Sequence, residues 1–231
     1  MKLQGKVAIL TAAAGAGIGQ ATARIFAREG AAVVVTDIHP DRPLLVAEAI
    51  RKEFGTPAIG LQCDVCSREG VQTVISKTVD EYGRVDILFN NAGTNRPAKI
   101  VDITDEAWSM VIDTCLTGTF YFCRAVLPIM MAQRFGRIVN IASTAAFMGL
   151  GHGHSHYAAA KAGFVAFTRC LAMEAAPHYI TANVIAPGFI YNEFIPHLYP
   201  PGEIKRMNSM IPYPRKGTPD DVANTTLFLV S

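Results

Sequence analysis

The sequence has 231 residues, 50% of them hydrophobic and 17% charged, with 21 Lys and Arg against 19 Asp and Glu for a net charge of +2. A chain of this length supports one sizeable domain burying roughly 70% of its extended-chain surface, and its charged share lies below the roughly 25% usual for soluble domains, so either the core is large or part of the surface is covered, the second pointing to a homo-oligomer. The balanced charge gives no electrostatic reason to expect nucleic acid or an anionic membrane as partner.

Met1 to Lys6 runs into a strand pattern without an apolar leader, and no 18 consecutive residues are uninterruptedly apolar. A cytoplasmic protein without a spanning helix is therefore expected. Strands are expected at Lys6–Leu10, Ala32–Asp37, Ala58–Asp64, Asp86–Asn90, Arg137–Ser143 and Thr181–Ala186, with amphipathic runs between them. Strands alternating with helices, and apolar almost throughout, mark βαβ units buried on both faces. The fold class expected is α/β, a doubly wound parallel sheet in a single domain, 1–231. From Phe189 to Pro219 the periodicity fails, with prolines at 196, 200, 201, 212, 214 and 219. So long an irregular stretch reads as a substrate flap at about 189–219. A helical run follows Asp220 and reaches Ser231. The cysteines at 63, 66, 115, 123 and 170 are odd in number and form no disulfide framework.

Between the first strand and a helix lies Thr11-Ala12-Ala13-Ala14-Gly15-Ala16-Gly17-Ile18-Gly19. Small residues here let the backbone approach a pyrophosphate, whose charge the amides and dipole of the helix N-terminus attract. Asp37, at the end of the second strand, can accept hydrogen bonds from both hydroxyls of an adenosine ribose and repels a 2′-phosphate. NAD is therefore expected as cofactor, with NADP less favoured, although His39 and Arg42 lie close by.

Tyr157 and Lys161 stand four apart at the start of a helical run, which places them on one face. An adjacent ammonium lowers a phenol from its ordinary value of about 10, so the pair can exchange a proton as acid or base. Ser143 falls at the carboxyl edge of the fifth strand, where open parallel sheets bind ligands, and its hydroxyl can hold a substrate carbonyl. The alternating histidines of His152-Gly153-His154-Ser155-His156 are better read as substrate contacts than as metal ligands, and no metal is expected. Cys63-Asp64-Val65-Cys66 lacks the second pair that a zinc site needs.

The ordered set resembles the short-chain dehydrogenase/reductase family over almost the whole chain: the Thr11 to Gly19 turn, Asp37, Asp64-Val65, Asn90-Asn91-Ala92-Gly93, Ser143, Tyr157 to Lys161 and Pro187-Gly188. The resemblance implies a Rossmann fold, usually assembled as a tetramer, and hydride transfer between a nicotinamide and a secondary alcohol or ketone. Tyr157 would be general acid or base, Lys161 would hold the nicotinamide ribose, and Ser143 would position the substrate. Gly15, Gly17, Ile18 and Gly19 would cradle the cofactor, Asp64 and Val65 would flank the adenine, Asn91, Ala92 and Gly93 would line the cleft, and Pro187, Gly188 and Ile190 would flank the nicotinamide.

Four departures from the family pattern stand out. Ala12 replaces the glycine after the threonine, and Gly17 is six positions on rather than five, so a one-residue bulge is expected. Cys115 falls where many members carry an asparagine whose backbone carbonyl helps to hold a proton-relay water; a modified relay and retained activity are expected. Ser143 and Tyr157 are fourteen apart where thirteen is common. The sequence stops before the seventh strand that the resemblance implies. For the substrate, Phe147, Met148, Leu150, Phe189, Tyr191, Phe194 and Tyr199 suggest an apolar pocket, while Lys205, Arg206, Arg215 and Lys216 suit a CoA- or acyl-carrier-protein-linked substrate. The stretch His154 to Gly163, with Thr168-Arg169-Cys170 after it, is similar to reductases acting on CoA thioesters of steroid-ring remnants, and a 3-oxoacyl carrier-protein reductase is the comparable rival. A dinucleotide sensor without catalysis is the rival from another class.

Overall fold

The computed structural model describes residues 1–149, 153–193 and 195–231. Six strands, β1 (Val7–Leu10), β2 (Ala32–Asp37), β3 (Ala58–Gln62), β4 (Ile87–Asn90), β5 (Gly136–Ile141) and β6 (Ile180–Ile185), form one parallel sheet in the order β3-β2-β1-β4-β5-β6. Strands that face helices on both sides have no solvated face, which is why their sequences are apolar rather than alternating. Period two still decides which helix layer each residue meets. On β1, Ala8 and Leu10 pack with Phe26 of α1 (Ile18–Arg28), Ile50 of α2 (Arg42–Phe54) and Leu227 of the C-terminal helix (Pro219–Val230). Ile9 points the other way, to Val74 of α3 (Arg68–Tyr82), and to the layer holding Phe122, Val126 and Leu171.

The strand order reverses between β1 and β4. Their carboxyl ends carry Thr11 and Asn91, and such a switch point opens the crevice in which these sheets bind ligands. Beyond it, α4 (Asp105–Ile112) runs into a π-helical segment, Asp113–Thr117, and then α5 (Gly118–Gln133). The whole stretch, Asp105–Gln133, is by length and average composition apolar enough to cross a membrane, although no 18 consecutive residues of it are uninterruptedly apolar, and 39% of its apolar 18-residue window is buried within the protein. Single interruptions such as Arg124 broke the uninterrupted run without making the average polar. Its buried side packs on the sheet, leaving Trp108, Met110 and Phe120 at the surface.

Most expected strand limits hold within two residues. The fifth strand ends at Ile141, so Ser143 caps a short 3₁₀ turn (Thr144–Ala146) rather than closing the strand. The helix α6 spans Ser155–Ala175. The expected flap is not irregular throughout. It leaves the sheet after β6, forms α7 (Ile195–Leu198) and α8 (Pro201–Ser209), and returns where Tyr191 N donates to Gly217 O at 3.0 Å before α9 (Pro219–Val230). The prolines misled the periodicity here: Pro200 and Pro201 stand at the start of α8, where a missing amide costs nothing.

Candidate active site

The glycine-rich turn folds back on itself before α1 begins. Gly17 N donates to Gly15 O at 2.7 Å, a three-residue turn that takes up the extra residue. Gly17 then caps α1 without a side chain, so the first amides of the helix are left for an anion. Gly19 cannot be replaced: a Cβ there would lie 2.4 Å from Ala12 O and 2.8 Å from Asn91 Nδ2. Ala12 itself sits at φ +48, in the left-handed region that favours glycine, at the position where the family pattern has one.

The strand-four motif is stitched to this turn. Thr11 Oγ1 accepts from Asn91 N at 2.9 Å and Ala92 N at 3.1 Å, and Asn91 Nδ2 donates to Thr11 O and Ala12 O at 3.3 and 3.0 Å. The Asn91 side chain is thus a brace for the turn, a role its sequence position did not reveal. Asp37 stands at the end of β2, with Oδ2 accepting from Ala14 N at 3.3 Å and Oδ1 from His39 N at 3.1 Å. Its carboxylate is held beside the turn. Asp64 folds over its own loop, accepting from Cys66 N at 2.9 Å, and Val65 is buried against Gly118. A turn with free helix amides, a fixed carboxylate one strand away and no room for a Cβ at Gly19 fits an adenine dinucleotide.

A cavity of about 1280 Å³ opens beyond the turn, larger than most small-molecule pockets. Ser143, Tyr157 and Lys161 line it together with Ile18, Asn91, Gly93, Pro187, Gly188 and Ile190. The remaining expected cofactor residues, Gly15, Gly17, Gly19, Asp37, Asp64, Val65 and Ala92, lie outside its lining, along the approach from β1, β2 and β3. At Gly188 a Cβ would meet nothing within 4 Å, so the backbone there is open to a ligand.

Tyr157 hydrogen-bonds Ser143, whose Oγ also accepts from Ala145 N at 3.2 Å. Burial pushes the Tyr157 phenol up to about 12, with Cys115 adding to the rise and Ser143 opposing it. This corrects the expectation that the neighbouring ammonium lowers it. Lys161 is buried, donates from Nζ to Ile141 O at 2.6 Å and lies 5.8 Å from the centre of the Tyr157 ring. At that distance desolvation of the phenolate wins over attraction. The same burial lowers the Lys161 ammonium, which Cys115 partly offsets.

The π-helical segment puts Cys115 against this pair. Its Sγ donates to Thr94 O at 3.3 Å and accepts from Thr94 N at 3.4 Å, and a Cβ on Gly93 would lie 3.6 Å from both Cys115 Sγ and Lys161 Nζ. The helix distortion therefore persists without asparagine, and the thiol clamps the loop after β4. Behind it, a buried chain escaped notice in the sequence: Asn90 Nδ2 donates to Asn140 Oδ1 at 2.9 Å, and Asn140 Nδ2 to Thr168 Oγ1 at 2.9 Å, tying β4, β5 and α6 together. Such polar ties carry no periodicity.

The histidines divide. His156 is turned inward, with Nε2 3.0 Å from Arg96 O, so it is a brace and not a substrate contact; His154 lines the cavity, and His152 lies outside the described residues. Of the expected apolar wall, Met148, Phe189 and Tyr199 line the cavity, Phe147 and Tyr191 do not, and Leu150 and Phe194 lie outside the described residues. Arg206 and Arg215 reach the cavity, whereas Lys205 and Lys216 do not. Cys63 is no redox partner for Cys66: burial pushes its thiol up to about 12, and all five cysteines are free.

Residues 12–231 match the family described as enoyl-(acyl carrier protein) reductase. The chain is 39% identical over 233 residues to the 3-oxoacyl-(acyl-carrier-protein) reductase FabG of Thermotoga maritima, covering 100% of this chain and 92% of that one. It is 39% identical over 231 residues to an indene-carboxyl-CoA reductase of Mycobacterium tuberculosis, covering 99% and 87%. The crystal structure of a short chain dehydrogenase from Mycobacterium smegmatis superposes with a TM-score of 0.86 at 37% identity, covering 99% of this chain and 87% of that one. The chain belongs to the short-chain dehydrogenase/reductase family, and it is an oxidoreductase of that family acting on CH–OH and ketone groups.

Proposed function

We propose that the protein is an NAD-dependent reductase and dehydrogenase of secondary alcohols and ketones on an acyl chain linked to CoA or acyl carrier protein. The observation that carries this reading is the convergence of Ser143, Tyr157 and Lys161 on one cavity at the sheet's switch point. The nicotinamide supplies or takes the hydride. Ser143 holds the substrate oxygen, and the Tyr157 hydroxyl passes its proton to that oxygen in reduction and recovers it in oxidation. Lys161, anchored on Ile141 O, presents its remaining N–H groups to the nicotinamide ribose.

The Asp37 carboxylate favours NAD over NADP, because it accepts from ribose hydroxyls and repels a 2′-phosphate. Gly15, Gly17, Ile18 and Gly19 take the pyrophosphate, Asp64 and Val65 the adenine, Asn91 to Gly93 the cleft wall, and Pro187, Gly188 and Ile190 the nicotinamide. The acyl-carrier and CoA relatives support a thioester-linked substrate. The exposed Trp108 and Phe120, with Phe167 edge-on to Phe120 at 6.4 Å, support a homo-oligomer, dimer or tetramer, assembled through α4, α5 and α6. The free thiols suit a cytoplasmic compartment. Steady-state reduction of acetoacetyl-CoA tests the whole reading: kcat/KM with NADH should exceed that with NADPH by about tenfold or more, near 1.4 kcal/mol. A preference for NADPH overturns the cofactor assignment, and no turnover on any oxoacyl thioester overturns the substrate class.

A further inference from the structure

The cavity beyond Tyr157 has a corner whose polar groups take no part in the proton and hydride steps. The loop after β4 forms its wall, and the lead into α6 crosses that loop. Ala98 N donates to Gly153 O at 3.1 Å, and His156 Nε2 lies 3.0 Å from Arg96 O. Gly153 has φ +85, and a Cβ on it would fall 2.5 Å from Ala98 O, so only glycine permits the crossing. Asn95 and His154 meet there, and both line the cavity that they share with the apolar Met148, Met207 and Met210.

The Asn95 amide is satisfied at one end only. Its Nδ2 lies 2.7 Å from His154 Nδ1. An amide N–H can only donate, so Nδ1 accepts and the neutral imidazole carries its proton on Nε2. The other end of the amide, Oδ1, is out of water and has no partner among the described residues. A buried carbonyl oxygen without a partner is rare, because the hydration it loses is not replaced, and at the wall of a cavity a ligand's O–H or N–H can replace it. Such an oxygen repels carboxylate and phosphate oxygens. The Asp102 carboxylate in the same lining acts in the same direction, and the exposed Arg96 offsets its charge. The corner therefore selects by hydrogen bonding to a neutral donor and not by net charge.

We propose that Asn95 is a specificity-determining residue: its Oδ1 accepts a hydrogen bond from a neutral O–H or N–H of the substrate while the substrate carbonyl meets Ser143 and Tyr157. His154 stands at the start of α6, three residues before Tyr157, which sets the donor about one helical turn, roughly 5 Å, from the phenol. Two parts of a thioester-linked substrate can supply it, a hydroxyl on the acyl body or an amide of the carrier's arm. This rests on the redox reading of the site, and separate binding and turnover measurements distinguish the failure of one from the failure of the other.

Two matched pairs of ketones are titrated calorimetrically into the protein with NAD present, so that no hydride is available. In 3′-hydroxyacetophenone and 3′-methylacetophenone, a hydroxyl is exchanged for a methyl of similar size. In the acetoacetyl thioesters of N-acetylcysteamine and of 2-acetoxyethanethiol, an amide N–H is exchanged for an ester oxygen. In at least one pair the donor-bearing member should bind about tenfold more tightly. Asn95→Leu should remove that advantage without weakening the other member, and Asn95→Asp, which keeps an oxygen acceptor, should preserve it. An advantage in the first pair assigns the donor to the acyl body, and one in the second pair to the arm. No advantage in either pair, no binding of any probe, equal loss of both members in Asn95→Leu, or loss in Asn95→Asp as large as in Asn95→Leu would overturn the proposal. Donor-selective binding with no reduction of any probe by NADH would uphold the corner and remove the redox reading, and reduction without donor-selective binding would do the reverse.

Discussion

Tyr157 is the residue whose environment decides the chemistry. Its folded value of about 12 stands above the ordinary phenol value of about 10, chiefly through burial. The native state therefore keeps its proton over a range in which an unfolded tyrosine has lost it. Stability from this group is full below about pH 10 and is lost as pH rises from about 10 to 12. An ultraviolet titration of the cofactor-free protein, with Tyr157→Phe subtracted, should show phenolate only above about pH 11; a midpoint below 10 would mean that Lys161 governs the phenol after all. Ala12 is the other decisive residue. A left-handed conformation costs a non-glycine residue roughly 1–2 kcal/mol, and glycine pays back part of that in chain entropy. Ala12→Gly should raise stability by about 0.5–1 kcal/mol, seen as a higher urea midpoint at unchanged slope; a lower midpoint would show that the turn is matched to alanine.

At the scale of elements, the π-helical segment and the loop after β4 act as one unit. The distortion belongs to the backbone, and Cys115 Sγ joins it to Thr94 through both a donor and an acceptor contact. Cys115→Asn should keep turnover within about tenfold, near 1.4 kcal/mol of barrier. A far larger gain would mean that the native cysteine impairs proton supply, and a far larger loss that the thiol is needed to hold the loop. These elements also show where sequence reading works. The strands were legible because burial on both faces enforces unbroken apolar runs, and Ser143, Tyr157 and Lys161 because their order and spacing are tied to strand ends and a helix turn. The bracing by Asn91, the Asn90–Asn140–Thr168 chain and the inward turn of His156 were not, since each joins segments remote in sequence. α8 was hidden by its own prolines. The sign of the Tyr157 shift needed distances, because burial and a nearby ammonium oppose each other.

Over the whole molecule, the parallel sheet sets the site by reversing its order between β1 and β4, and every group named in the reaction stands at that carboxyl edge or on the flap above it. In the proposed reaction the turn would bring the cofactor, α6 the phenol and the ammonium, and the flap would enclose the substrate. Binding and chemistry therefore rest on different parts of one scaffold, and one substitution can part them. Tyr157→Phe removes the proton donor and leaves the turn, Asp37 and Lys161 in place. Fluorescence titration with NADH should then give wild-type affinity, while ketone reduction by the variant falls by about 10³-fold or more, to the level of the remaining orientation effects. Full turnover in Tyr157→Phe would contradict the account.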